Sequence, residues 1–242
     1  MLVSKFLSGQ THDYQKFSKQ YSDLGIEATY YLAFAEASKL IASQSYAQAL
    51  DFGCGSGRST RFLKTLDSDV IGVDTNPHML TQARQLDPMG NYQLLDSKQL
   101  PFPAASFDLI FQSFVFLEYA SIAQMIETLR EFNRVLTAHG SVIIVTGSEG
   151  YYSHDWLSFP NNIPENQTLQ SGDMARVSIR GTDIVLFDYY WTDQDYRAVF
   201  EAADFEVVEV LQPLAQGNEP FSWLSELEHP CWVIYSLRKL DC

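Results

Sequence analysis

Eleven residues, Ala49-Leu50-Asp51-Phe52-Gly53-Cys54-Gly55-Ser56-Gly57-Arg58-Ser59, constrain this chain more than any other stretch. A short apolar segment ends on an acid. Three glycines at alternate positions follow, and then a helical run begins. Glycine reaches left-handed backbone conformations and lets a ligand approach without a Cβ in the way. The pattern therefore predicts a strand, a tight turn and a helix. Arg58 stands where a dinucleotide fingerprint would place its third glycine.

A second mark follows. Val70-Ile71-Gly72-Val73-Asp74 reads as a buried strand ending in an acid, with Asp74 21 residues after Gly53. In a strand–turn–helix–strand unit that spacing puts the carboxylate at the tip of the neighbouring strand, where it can accept hydrogen bonds from both hydroxyls of a ribose. Thr75 comes next, then Asn76 as a helix N-cap and Pro77 as a first helical residue. Met79 is predicted to face back toward the site as a soft contact for an adenine ring.

The third mark is Leu95-Asp96-Ser97-Lys98-Gln99-Leu100-Pro101-Phe102-Pro103, followed by a strand over Phe107-Asp108-Leu109-Ile110-Phe111-Gln112-Ser113. Gln112 and Ser113 come at its carboxyl end, where ligands sit in open α/β sheets. Together the three marks resemble the class I S-adenosylmethionine-dependent methyltransferases, in particular the small-molecule subfamily similar to ubiquinone-biosynthesis enzymes (methyltransferase type 11). The resemblance is close over residues 47–147, looser over 183–239 and weakest in the first 40.

This resemblance implies S-adenosylmethionine as cofactor and S-adenosylhomocysteine as product. Gly53, Cys54 and Gly55 would border the methionine portion, and Asp51 would receive its ammonium. Asp74, Thr75 and Met79 would hold the adenosine. Asp96 would take the adenine amino group, and the backbone next to it, at Ser97, a ring nitrogen. Tyr21, with Tyr14 and Phe17, lies in a segment resembling the family's early aromatic region that folds over the cofactor.

The rest of the chain fits an α/β reading. Residues 24–45 show helical spacing of apolar positions. Strands are predicted at 47–52, 69–74, 91–95, 107–113 and 140–147, with helices at 57–67, 76–87 and 121–136 between them. Alternation of this kind argues for a parallel sheet with helices on both faces. Periodicity is lost over 148–182. An extended segment at 183–191, a helix at 193–203 and strands at 205–211 and 231–237 complete the chain. The expected fold is a Rossmann-like sheet of seven strands, the last antiparallel by the resemblance. We divide a single domain into an N-terminal helical cap (1–45), a cofactor-binding core (46–147), a substrate lid insertion (148–192) and a C-terminal helix with strands (193–242).

Charge narrows the acceptor. The net charge is −14, with 9 basic and 12 acidic residues in 1–120 against 7 and 18 in 121–242. Such a surface repels phosphate backbones and disfavours nucleic acid. No apolar run approaches the ~18–20 residues needed to span a bilayer, and the start of the chain lacks a secretory apolar core. A cytoplasmic protein is expected. Three scattered cysteines, Cys54, Cys231 and Cys242, suggest neither a disulfide framework nor a zinc site.

The predicted acceptor pocket is aromatic: Tyr14, Phe17, Phe116, Tyr119, Tyr152, Trp156, Tyr189 and Trp191 are its candidates. The position after the fourth strand, around Phe116, Glu118 and Tyr119, carries no histidine, although the family often has one there. Of the five histidines, His154 in the lid is the best candidate for a general base. The leading expectation is methyl transfer to an O, N or C atom of a small, partly apolar metabolite, by a monomer or homodimer. The alternatives are a catalytically silent cofactor-binding regulator, a protein or tRNA methyltransferase, and a nicotinamide-dependent oxidoreductase, which Arg58 argues against.

Overall fold

A computed structural model describes residues 19–66 and 68–240. Tyr14 and Phe17 lie outside the described residues. Helix α1 (Thr29–Ala42) starts five residues later than its apolar spacing suggests, after Ala28, whose φ of 51° is incompatible with a continuing helix. Strand β1 (Gln48–Phe52) leads through the glycine turn into α2 (Arg58–Lys64), then β2 (Asp69–Asp74), α3 (Pro77–Leu86) and β3 (Asn91–Leu94). Strand β4 (Phe107–Ser113), a 3-10 turn at Val115–Glu118, α4 (Ile122–Val135) and β5 (Leu136–Gly147) follow. Beyond residue 147 come a hairpin of β6 (Met174–Ser178) and β7 (Val185–Tyr189), α5 (Asp193–Ala202), β8 (Phe205–Leu211) and β9 (Trp232–Lys239).

Seven strands form one sheet in the order β3-β2-β1-β4-β5-β9-β8. Strands β1 to β5 pair in parallel, and β9 runs antiparallel to both its neighbours. The expected fold is therefore present, including the reversed last strand. Strand β6 was not anticipated. It pairs only with β7, in a separate two-stranded sheet.

The burial of β5 explains the two-sided core. Val142 and Ile144 point to one face, Ile143 and Val145 to the other, as successive strand residues must. On the first face Met125, Leu129 and Phe132 of α4 and Tyr196, Val199 and Phe200 of α5 cover the sheet. On the second face α1 packs beside Tyr151, Tyr152, Trp156 and Phe159. These last four belong to the segment 148–192, which is thus part of the core. Thr29 ties it down: its N–H donates to Ser158 Oγ at 3.2 Å and its hydroxyl to the buried Glu226 carboxylate at 2.6 Å.

Candidate functional site

Strands β1, β2 and β4 end side by side, and the segments leaving them enclose a cavity of about 500 Å³. Its position at the carboxyl ends of parallel strands follows from topology, because β1 leaves toward β2 while β4 lies on its other side. The glycine turn forms one wall. Gly53, Gly55 and Gly57 have φ of 73°, 54° and 79°, a region that L side chains avoid. A Cβ on Gly53 would lie 2.2 Å from Val115, and one on Gly57 would lie 2.5 Å from the Tyr92 hydroxyl. The turn must therefore be glycine at both places for space as well as for φ.

Asp74 lines the cavity. Its Oδ2 accepts the Gly55 N–H at 2.8 Å and its Oδ1 the Asn76 N–H at 2.7 Å. Burial pushes this carboxyl up from the usual carboxylate range, while the N–H donors of Asn76, Gly55 and Thr75 pull it back. A carboxylate offers about four acceptor sites. Asp74 is thus pinned in place with lone pairs left for a ligand. Asn76 caps α3 by accepting from the N–H groups of His78 and Met79, with Pro77 at the first turn. That cap brings Met79 into the wall beside Thr75.

The other predicted residues divide. Tyr21, Cys54, Ser113 and Tyr119 line the cavity. Burial pushes the Cys54 thiol well up, which favours an inert neutral side chain. Burial also raises the Tyr119 phenol, to about 12, against a hydrogen bond with Thr128. Asp51 is fully buried behind the turn instead. Its Oδ2 accepts from Ser59 Oγ at 2.7 Å and Thr60 Oγ1 at 2.6 Å, and its Oδ1 has no partner. Burial pushes its carboxyl up to about 6. Asp96 and Ser97 are exposed just outside the wall, whereas their neighbours Leu95, Lys98, Gln99 and Leu100 line it. Gln112 is buried off the cavity with no partner for either side-chain atom.

Most of the predicted acceptor residues pack into the core. Phe116 lies beneath α4, and Trp191 is buried with its indole N–H donating to the Tyr119 carbonyl at 3.0 Å. Tyr152 and Trp156 belong to the core face covered by α1, and the Trp156 indole donates to the Tyr151 carbonyl at 2.7 Å. Tyr189 packs half-buried against the opposite core. His154 lines a second cavity, of about 450 Å³, with its ring 4.1 Å from that of His229 and its Nδ1 3.0 Å from the Gly150 carbonyl. Among the described residues, no histidine lines the first cavity.

The cavity also has polar contributors that the sequence does not mark as site residues, three of them informative. Arg58, Gln124 and Thr128 all line it. The signal for Arg58 was its place directly after Gly57. The other two sit on α4, whose inward face is apolar in sequence.

The cavity has room for a nucleoside-sized ligand. It combines a glycine cradle, a pinned acid and, at Gln124, a buried amide oxygen without a partner. These features fit S-adenosylmethionine. Among the described residues, no helix is long and apolar enough to cross a membrane and no group of three side chains could hold a metal ion.

Comparison with known proteins agrees with this geometry. A family model described as a methyltransferase domain matches residues 50–144. Malonyl-[acyl-carrier protein] O-methyltransferase of Salmonella typhimurium is 32% identical over 133 residues, which cover 54% of this chain and 52% of that protein. Homologous enzymes from Serratia marcescens and Yersinia pestis are matched over 39% and 37% of their length, so the chain spans about half or less of these relatives. N-demethylindolmycin N-methyltransferase of Streptomyces griseus is 27% identical over 168 residues, 66% of this chain and 70% of that protein. Among solved structures, an S-adenosylmethionine-dependent methyltransferase described as putative, from Listeria monocytogenes, superposes with a TM-score of 0.64 at 18% identity. The match covers 87% of this chain and 99% of that one, and it speaks for the fold. Residues 50–144 are thus a methyltransferase domain, set in a chain whose fold is that of the class I S-adenosylmethionine-dependent methyltransferases.

Proposed function

We propose that the protein moves the methyl group of S-adenosylmethionine to an O, N or C atom of a small, partly apolar acceptor. One observation carries this reading: the glycine turn and the pinned Asp74 carboxylate face the same cavity at the carboxyl ends of β1 and β2. The cofactor's sulfonium supplies a methyl that is already activated. The protein's work is then to hold, align and dry the reactants, and alignment alone contributes on the order of 7–11 kcal/mol in favourable cases.

In this reading Asp74 accepts from the ribose hydroxyls, and Met79, Thr75 and Leu100 wall the adenosine. Gly53, Cys54 and Gly55 border the amino-acid end, with Tyr21 and Ser113 near it. Asp51 acts through the turn, by fixing Ser59 and Thr60 at the start of α2. Tyr119 is the aromatic candidate that reaches the cavity, on the wall where an acceptor would enter. The relatives by name methylate oxygen or nitrogen, which supports those two atoms ahead of carbon.

Isothermal titration tests the reading. The protein is expected to bind S-adenosylmethionine and S-adenosylhomocysteine and to ignore NADH. NADH binding alone would overturn it. Binding of both sulfur nucleosides without turnover on any acceptor would favour a silent cofactor-binding protein.

A further inference from the structure

Arg58 has no part in the assignments above, yet it faces the same cavity. It is the first residue of α2, directly after Gly57, and is half-buried. Its guanidinium lies 4.2 Å from the centre of the Tyr30 ring, 5.6 Å from Phe34 and 5.7 Å from Phe114. Its backbone contact is a long one, from Nη1 to the Gly25 carbonyl at 3.4 Å. Among the described residues, no carboxylate forms an ion pair with it, whereas Lys64, Lys98, Arg134 and Arg197 each sit on one. In a chain with 30 acidic and 16 basic residues, that is a notable omission.

Aromatic faces stabilise a partly desolvated cation without engaging its planar donor edge, on which Arg58 has only neutral partners, the Gly25 carbonyl and the Tyr30 side chain. That edge matches a carboxylate in a two-pronged hydrogen bond. Four N–H groups of the glycine turn are already engaged and do not compete for such an anion. The N–H groups of Gly53 and Cys54 both donate to the Val73 carbonyl, that of Gly55 to Asp74, and that of Gly57 to the Cys54 carbonyl.

We propose that Arg58 is the carboxylate-binding residue of this cavity. The proposal deepens the methyl-transfer reading and takes its ligands from it. Two carboxylates share the required chemistry: the amino-acid end of the cofactor, and an acid group on the acceptor.

The test uses the full chain and three probes. S-adenosylhomocysteine carries the carboxylate. 5′-Methylthioadenosine has the same nucleoside and a sulfur without the amino-acid end. Hexanoate, added to protein saturated with S-adenosylhomocysteine, stands for an acidic acceptor. Arg58→Gln is expected to weaken one carboxylate by roughly ten- to hundred-fold, the worth of a charged hydrogen-bonded contact, and to leave methylthioadenosine unchanged. Loss on S-adenosylhomocysteine assigns Arg58 to the cofactor; loss confined to hexanoate assigns it to the acceptor. Equal affinities in wild type and variant, or equal losses for S-adenosylhomocysteine and methylthioadenosine, would overturn the proposal and leave Arg58 as packing. Should Arg58→Gln fail to fold, Arg58→Lys keeps the charge without the fork and is judged by the same two contrasts. A wild type that binds neither nucleoside defeats the methyl-transfer reading. Hexanoate titrated into the free protein then decides Arg58 separately, by whether binding is present and lost in the variant.

Discussion

Around the glycine turn, polar groups are left facing an open cavity; across residues 148–192, the aromatic side chains are closed into the core. Asp74, Thr75 and Ser113 all line the cavity, on segments that end or follow a strand. Tyr152 and Trp156, from a stretch equally rich in candidates, sit against α1 and the sheet. The difference teaches that a motif which fixes backbone direction locates a site, whereas a local abundance of aromatics locates buried area.

The sharpest way to break that comparison is Trp156→Ala. Trp156 is 0% exposed, so its removal should cost about 3–5 kcal/mol of folding stability in urea unfolding. The affinity for S-adenosylhomocysteine, measured on protein that is still folded, should stay unchanged. A small stability loss with a large loss of turnover would mean that Trp156 meets a ligand after all. Asp74→Ala should do the reverse. Losing a desolvated acceptor of two hydroxyls should weaken S-adenosylhomocysteine about a hundred-fold by titration. Unchanged affinity would remove the basis for the cofactor site.

Asp51 tests the buried side of the turn through pH. Its carboxyl is pushed up to about 6 from an unfolded value near 3.8. A raised acid gives stability that is fully present below the unfolded value and lost as pH rises through the folded one. The effect is at most roughly 2–3 kcal/mol for a shift of this size. Asp51→Asn should therefore gain melting temperature relative to wild type as pH rises from about 4 to about 6. A constant difference across that range would show that the carboxyl titrates normally. Gly57→Ala is a smaller probe. With φ at 79° and the Tyr92 hydroxyl 2.5 Å from the added Cβ, it should cost about 1–2 kcal/mol by thermal unfolding.

Much of the fold was legible because it rests on short-range rules. The spacing from Gly53 to Asp74 encodes one strand–turn–helix–strand unit, and the parallel alternation extends it. Strand β6 was not legible: only the small Ala175 and Val177 are buried in it, between the exposed Met174 and Arg176, so its apolar pattern is faint. The placement of Asp51 behind the turn was not legible for a different reason. Strand alternation turns it to the face of Ala49, under α2, where Ser59 and Thr60 meet it. Arg58 was visible in the sequence, but its direction depends on Tyr30 and Phe114, residues far from it in the chain.

His154 offers the smallest and most discriminating effect. It was the sequence candidate for a base, and the structure places it in the second cavity against His229. Proton removal needs the base within about 3 Å of the proton it takes, directly or through one water. A histidine outside the cofactor cavity meets that condition only if the acceptor extends into the second one. His154→Ala should therefore leave S-adenosylhomocysteine affinity unchanged and shift stability by no more than about 1 kcal/mol, as for a half-buried side chain with ring contacts to His229 and Trp156. If turnover on an identified acceptor also keeps its pH profile, the second cavity has no part in the chemistry, and the site is confined to the ends of β1, β2 and β4. If the profile loses a limb while cofactor affinity holds, the acceptor reaches from one cavity to the other. The 148–192 segment would then contribute to the site through the edge that carries His154, while its aromatic interior remains core.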